Sequence, residues 1–178
     1  TMYPNLRDRI DWNAYLCALS FHDDAVSSLK PNPVNLYLAQ NAETHIASRP
    51  ATRYMRLHGF PEQEVKNVSD LIRLHPLDLT NSKRIAWEQT TNEKLRLTGR
   101  LLYVVDSLDV FRPSRIDAMI AYVQRSLWNL SPVMIKDQLF RYYTKNTQFS
   151  LDLGPEYPGI QEEADRRRVE ALELISKP

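Results

Sequence analysis

Apolar residues recur along this chain at intervals of three and four, the spacing of one buried helical face. The fullest example follows Pro113, where Ile116, Met119, Ile120, Val123, Leu127 and Leu130 form a continuous stripe. Val65, Val68, Leu71 and Ile72 predict a second helix over 61–75, with Glu62 and Glu64 in the first turn, where the helix dipole favours negative charge. Trp12, Tyr15, Leu16 and Leu19 predict an inward face for a helix over 11–29. Val34, Leu36, Tyr37, Leu38 and Ile46 do the same for 33–48. The longest candidate is 82–111, with Ile85, Leu95, Leu101, Leu102, Val105 and Leu108 inward and a break at Thr90-Thr91-Asn92. Further helices are expected at 51–58, at 132–147 (Val133, Leu139, Phe140, Tyr143) and at 160–176 (Ile160, Ala164, Val169, Leu172, Ile175).

The punctuation agrees with rods rather than sheets. There are eleven prolines and four glycines, and Pro33, Pro61, Pro113 and Pro132 each stand where a helical stripe begins. Proline suits the first helical position because its φ is already helical and its missing N–H would have no partner there. Pro31 and Pro50 are read as helix ends, Gly59 as a stop, Thr80 or Asn81 as one cap and Asn92 as another. Ser114 with Asp117 has the spacing of a capping box. From Leu151 to Gly159 the composition turns to Pro and Gly, which cannot propagate a helix. The expected architecture is therefore all-α: an irregular bundle of seven or eight helices with proline-bounded turns over 1–150, then a C-terminal helical arm over 151–178. The arm pairs an extended connector with a charged helix whose apolar stripe is thin, so it is expected to be held by another chain.

Lys plus Arg (23) balances Asp plus Glu (22), which removes the basic excess a dedicated nucleic-acid binder needs. Cys17 is the sole cysteine, so no intrachain disulfide exists, and its apolar flanks read as those of an inert thiol. The longest apolar run, Leu101 to Val105, is far short of the ~18 residues of a membrane span. No signal peptide is visible.

Catalytic motifs are sparse. No HExxH, nucleophile elbow or phosphate-binding glycine loop occurs, and the four histidines (22, 45, 58, 75) lack metal-ligand spacing. Asp23-Asp24 and Glu162-Glu163 are adjacent pairs whose side chains diverge by about 100° on a helix. His75 extends the 65–72 stripe and is read as part of a packed face, bonding a helix-end carbonyl. His22-Asp23-Asp24 resembles the His-Asp pair of metal-dependent phosphohydrolases. That resemblance implies an upstream histidine, which this chain lacks, and a downstream aspartate on a neighbouring helix. The triplet is otherwise read as a solvated helix end. A deep pocket joining two histidines to a carboxylate would reverse the expectation of no catalysis. No catalytic, cofactor or metal residue is assigned; Trp12, Tyr157, Arg166, Arg167 and Leu172 are expected at a protein interface, where aromatics and arginine concentrate.

Two short segments resemble known helical subunits. Ile10-Asp11-Trp12-Asn13-Ala14-Tyr15 is similar to a stretch of the peripheral-stalk subunit d of mitochondrial ATP synthase, and Asp137-Gln138-Leu139-Phe140-Arg141 to the small helical accessory subunit of the cytochrome bc1 complex. They imply a non-catalytic accessory subunit without cofactors, partnered by other subunits of a mitochondrial respiratory-chain or ATP synthase assembly; a cytoplasmic protein is the other expectation. Ala51 to Leu79 resembles the helical half of PAS sensor domains, which implies a ligand-sensing module with antiparallel strands elsewhere.

Overall fold

The computed structural model describes residues 7–22, 30–77, 81–127, 130–145 and 159–176, with backbone only at 36–45, 142, 143 and 145. Among the described residues a 3-10 turn, Arg7–Arg9, precedes eight α-helices: α1 (Trp12–Phe21), α2 (Pro33–Leu57), α3 (Glu62–Leu74), α4 (Ser82–Thr90), α5 (Glu93–Asp109), α6 (Pro113–Ser126), α7 (Pro132–Lys145) and α8 (Ile160–Ser176). The fold is all-α, and no strand occurs among the described residues. The strands that a PAS domain requires are thus missing there.

The chain divides into two compact units, residues 1–29 with 38–106, and residues 30–37 with 107–178. In the first unit α1 lies along α3, and the α3 stripe is buried as its spacing predicts: Val65, Val68, Leu71 and Ile72 are all at most 1% exposed. Burying each such side chain contributes about 1.5–3 kcal/mol. The inward face of α1 follows expectation at Tyr15 and Leu19 and departs from it at Trp12 and Leu16. Ala14, Tyr15 and Ala18 are buried, whereas Trp12 and Leu16 stand 41% and 56% exposed. Alanines at these positions let α1 approach α3 more closely than large side chains would.

Pro50 does not end a helix. α2 runs from Pro33 through Pro50 to Leu57, absorbing the separate helix expected at 51–58. Interior proline removes a backbone donor and costs about 3 kcal/mol. The small residues around it, Ala47 and Ala51, are fully buried in the core, and that packing holds the segment helical. The helix stops at Gly59, whose φ of +73° suits glycine. Gly59 N–H donates to Arg56 O and Phe60 N–H to Met55 O, the paired bonds of a Schellman end.

The break at 90–92 is present. Asn81 Oδ1 accepts from Lys83 N–H (3.0 Å) and Asn92 Oδ1 from Leu95 N–H (2.9 Å), so each asparagine caps its helix. On α4, however, Ile85 is 40% exposed and the buried residue is Arg84, at 1%. Gly99 on α5 is where α4 comes closest: a Cβ there would stand 2.9 Å from the Trp87 ring.

The second unit is built from α6, α7 and α8, with α7 against both others. Phe111, Ile116, Ile135, Leu139, Ala171 and Ile175 form its core. The helix after Pro113 forms, but the capping box does not: the cap position is Arg112 and no side chain caps there. Ser114 is therefore already inside the first turn. Val133 points outward at 75% exposure, because α7 turns Ile135 and Leu139 to the core instead. The C-terminal helix is packed on its own unit rather than pendant. Its thin stripe suffices because Ala164, Ala171 and Ile175 meet a matching apolar surface and are buried. The connector at 151–158, like the helical extension expected over 23–29, lies outside the described residues.

Candidate metal centre

Three residues far apart in sequence meet inside the first unit: His22 just past the end of α1, His75 just past the end of α3, and Asp106 on α5. One potential ligand atom from each lies within 4.8 Å of the others. The rings of His22 and His75 meet edge to face, with centroids 5.3 Å apart. His22 Nε2 is 3.5 Å from Asp106 Oδ1, and His75 Nε2 is 3.6 Å from Asp106 Oδ2. Side-chain exposures are 11% for His22, 4% for His75 and 23% for Asp106. His22 is therefore not the solvated helix end expected from sequence.

The far side of each ring decides what the near side offers. His22 Nδ1 lies 2.7 Å from Leu19 O, and His75 Nδ1 lies 2.8 Å from Ile72 O. A carbonyl accepts only, so each Nδ1 carries the proton. In a neutral imidazole the remaining nitrogen, Nε2, then presents a lone pair. Both lone pairs face a carboxylate that also presents lone pairs. Either a proton on an Nε2 atom or a divalent cation shared by all three groups would join the rings to the carboxylate.

The dimensions fit such an ion. Ligand atoms 2.0–2.2 Å from a tetrahedral zinc stand about 3.3–3.6 Å apart; the two nitrogen–oxygen separations, one to each carboxylate oxygen, fall in that range, while single ligand atoms from the three residues lie within 4.8 Å of one another, so a bound cation would draw them closer. Distances of 3.5 and 3.6 Å are long for direct hydrogen bonds. Bonding Nδ1–H to a main-chain carbonyl is how proteins fix the tautomer and orientation of ligating histidines. It also bears out the reading that His75 bonds a helix-end carbonyl, and joins that role to a second one.

A buried guanidinium organises the same corner. Arg84 Nη1 donates to Leu74 O, His75 O and Leu77 O at 3.1–3.3 Å, Nη2 to Gly99 O at 3.3 Å, and Nε to Glu88 at 3.2 Å. Its Cζ lies 4.8 Å from the Tyr103 ring centroid. Burial lowers its pKa, offset in part by Glu88. Arg84 thus fixes where the chain leaves α3, at His75, and ties that point to α5, which carries Asp106.

The residues expected at an interface belong to different units. Trp12 belongs to the first unit, half-exposed, with Nε1–H donating to Arg7 O (2.7 Å). Arg166, Arg167 and Leu172 are on α8 in the second. Arg166 pairs with Glu163 and Glu170, and Arg167 bonds Glu163 Oε1 at 2.7 Å. Leu172 packs on the core of its unit. Tyr157, Asp23 and Asp24 lie outside the described residues. Cys17 is half-buried and burial pushes its thiol pKa up, away from reactivity.

Asp106 is the member of the candidate site that sequence reasoning did not single out. Its signal was present: a carboxylate set among Leu101, Leu102, Val105 and Leu108 on an otherwise apolar face. Comparison with protein-family models, characterised proteins and solved structures gives no match.

Proposed function

We propose that the chain is a metal-dependent hydrolase of phosphate esters, with His22, His75 and Asp106 holding one divalent cation. One observation carries this reading: two histidine Nε2 lone pairs, each fixed by an Nδ1–H bond to a carbonyl, converge on one carboxylate at 3.5 and 3.6 Å. Support for the phosphoester class comes from the His22-Asp23 pair, which resembles that of metal-dependent phosphohydrolases, and from Asp106, which supplies the downstream aspartate on a neighbouring helix. With His22, His75 and Asp106 as its protein ligands, the cation's remaining positions are left to water and substrate. A divalent cation in such a site supplies a water of lowered pKa and neutralises phosphoryl charge. The chain's part is to orient: Leu19 O and Ile72 O lock both rings, and Arg84 anchors the backbone of His75.

Metal titration and activity test the reading together. Protein stripped with chelator should take up one Mn²⁺, Co²⁺ or Zn²⁺ per chain. The loaded protein should hydrolyse bis(p-nitrophenyl) phosphate or a nucleoside monophosphate. His75→Ala and Asp106→Asn should each weaken uptake by more than tenfold. Failure of the wild-type chain to bind any of the three cations at micromolar concentration would sink the proposal.

A second reading, an accessory subunit of a larger assembly, is favoured by the apolar side chains that α7 exposes, Val133 at 75% and Met134 at 52%. Native mass measurement after gentle purification from the source separates it from the first: a free monomer counts against it.

A further inference from the structure

A cavity of about 760 Å³ is walled by α1, the end of α2 and the start of α3. Its lining shares no residue with the cluster of His22, His75 and Asp106. The two are therefore distinct, and occupancy of the cavity is independent of the metal reading.

The wall has a distinct chemistry. Its charged side chains are two carboxylates, Asp11 and Glu64, and no lysine, arginine or histidine lines it. The nearby guanidinium of Arg56 is committed to Glu62 through two hydrogen bonds. Three aromatic rings, Phe21, Tyr54 and Phe60, contribute to the same wall. Phe60 and Tyr54 are 41% and 47% exposed, so apolar ring surface is presented rather than consumed by the core. The rings are also held in place. Tyr54 is packed between Phe21, at 5.6 Å between centroids, and His58, at 4.1 Å. His58 is in turn fixed by its Nδ1 contact with Tyr54 O at 2.8 Å.

Carboxylates with aromatic faces, and no basic side chain among the lining residues, form the surroundings in which an organic cation is favoured over a neutral or anionic molecule. The carboxylates supply charge, and the ring faces carry the negative quadrupole that attracts an ammonium group. We infer that this cavity binds an organic ammonium ion with an apolar body. Asp11 precedes α1 and Phe21 ends it, so the two are separated by about 15 Å of helix. An ammonium head at the carboxylates with an aryl or alkyl tail along Met55 and towards Phe21 spans that length.

The test uses the intact chain and three soluble probes of one shape: 2-phenylethylammonium, 2-phenylethanol and 3-phenylpropionate. Amide chemical shifts on ¹⁵N-labelled protein report the site. The cation should move resonances of α1 and of the 60–68 segment with saturable binding. The alcohol should bind about tenfold more weakly, the loss expected for one charge-assisted contact, and the carboxylate not measurably. Glu64→Gln should reduce the cation's affinity about tenfold and Tyr54→Ala by a similar factor, while His75→Ala should leave it unchanged. Equal affinity for alcohol and cation overturns the inference, as does absence of saturable shifts with the cation at millimolar concentration. If Tyr54→Ala unfolds the chain, the Glu64→Gln comparison with the alcohol still decides.

Discussion

In the first unit a guanidinium, a histidine and a threonine hydroxyl are drawn to 1%, 4% and 0% exposure, each with hydrogen-bond partners: Arg84 with four carbonyls and Glu88, His75 with Ile72 O, Thr98 with Lys94 O and Asp11 N–H. In the second unit the core is hydrocarbon, and the buried hydroxyls of Tyr122 and Ser126 have no hydrogen-bond partner among the described residues. An unpaired buried polar group costs about 1–3 kcal/mol, whereas paired ones are nearer neutral. Replacing a buried ion pair by well-packed hydrocarbon often leaves stability unchanged or raised. The satisfied network around Arg84 is therefore better understood as organisation than as stabilisation: it sets the positions of His75 and of α5. The second unit has no comparable network among its described residues, and its ion pairs on α8 lie towards the surface.

The largest expected effect tests that contrast directly. Arg84→Met leaves the carbonyls of Leu74, His75, Leu77 and Gly99 without their shared donor, and should lower stability by about 3–5 kcal/mol in urea unfolding. Arg166→Met, which breaks an exposed pair, should leave the midpoint unchanged. Equal effects would show that burial does not distinguish the two networks.

Next in size is Ile175→Ala. The residue is 4% exposed in the core of the second unit, and removing three carbons from such a site costs about 2–5 kcal/mol. A neutral outcome would restore the loosely held arm that the charge density of α8 suggests. Gly99→Ala should cost about 1–3 kcal/mol, because the new methyl meets the rigid Trp87 ring at 2.9 Å and overpacking outweighs the gain in helix propensity. Trp87→Leu in the same chain should recover part of that loss.

What could be read from sequence followed how one-sided each helix is. α3 was legible to the residue because Val65, Val68, Leu71 and Ile72 share one face and one neighbour. α1 was not, because the face it buries is marked by Ala14 and Ala18, which carry little hydrophobic signal, while the larger Trp12 and Leu16 face out. Pro50 misleads because the local cost of an interior proline says nothing of the burial of Ala47 and Ala51 beside it. Arg84 rather than Ile85 is buried because three carbonyls at the end of α3 and that of Gly99 within α5 can satisfy a guanidinium, and such carbonyls are invisible in a side-chain pattern. The candidate site was hidden for a similar reason. His22, His75 and Asp106 are contributed by three helices, and only the packing of α1 on α3 brings the first two together.

The smallest effect concerns acid. Burial alone would push Glu88 up, but hydrogen bonds and charge from Arg100 and Arg84 outweigh it and hold the carboxyl below its ordinary value. Glu163 is lowered further, to about 2, by hydrogen bonds from Arg166 and Arg167. For both groups the folded value is the lower one. Their contribution to stability is therefore complete above the unfolded carboxylate value, about 4.3, and is lost as pH falls through the folded value. The two differ in surroundings: Glu88 has a side chain 13% exposed, Glu163 one 31% exposed on a helix whose arginines face water. Salt at about 0.15 M screens surface pairs and leaves buried ones largely intact. Under those conditions Glu88→Gln should lower stability at neutral pH and flatten its fall between about pH 5 and pH 2. Glu163→Gln should change both much less, although its carboxyl is shifted further. Urea midpoints measured across that range check the pair. If Glu163→Gln flattens the acid limb as much as Glu88→Gln, then the size of the shift, not the shielding of the pair from solvent, governs what each network contributes.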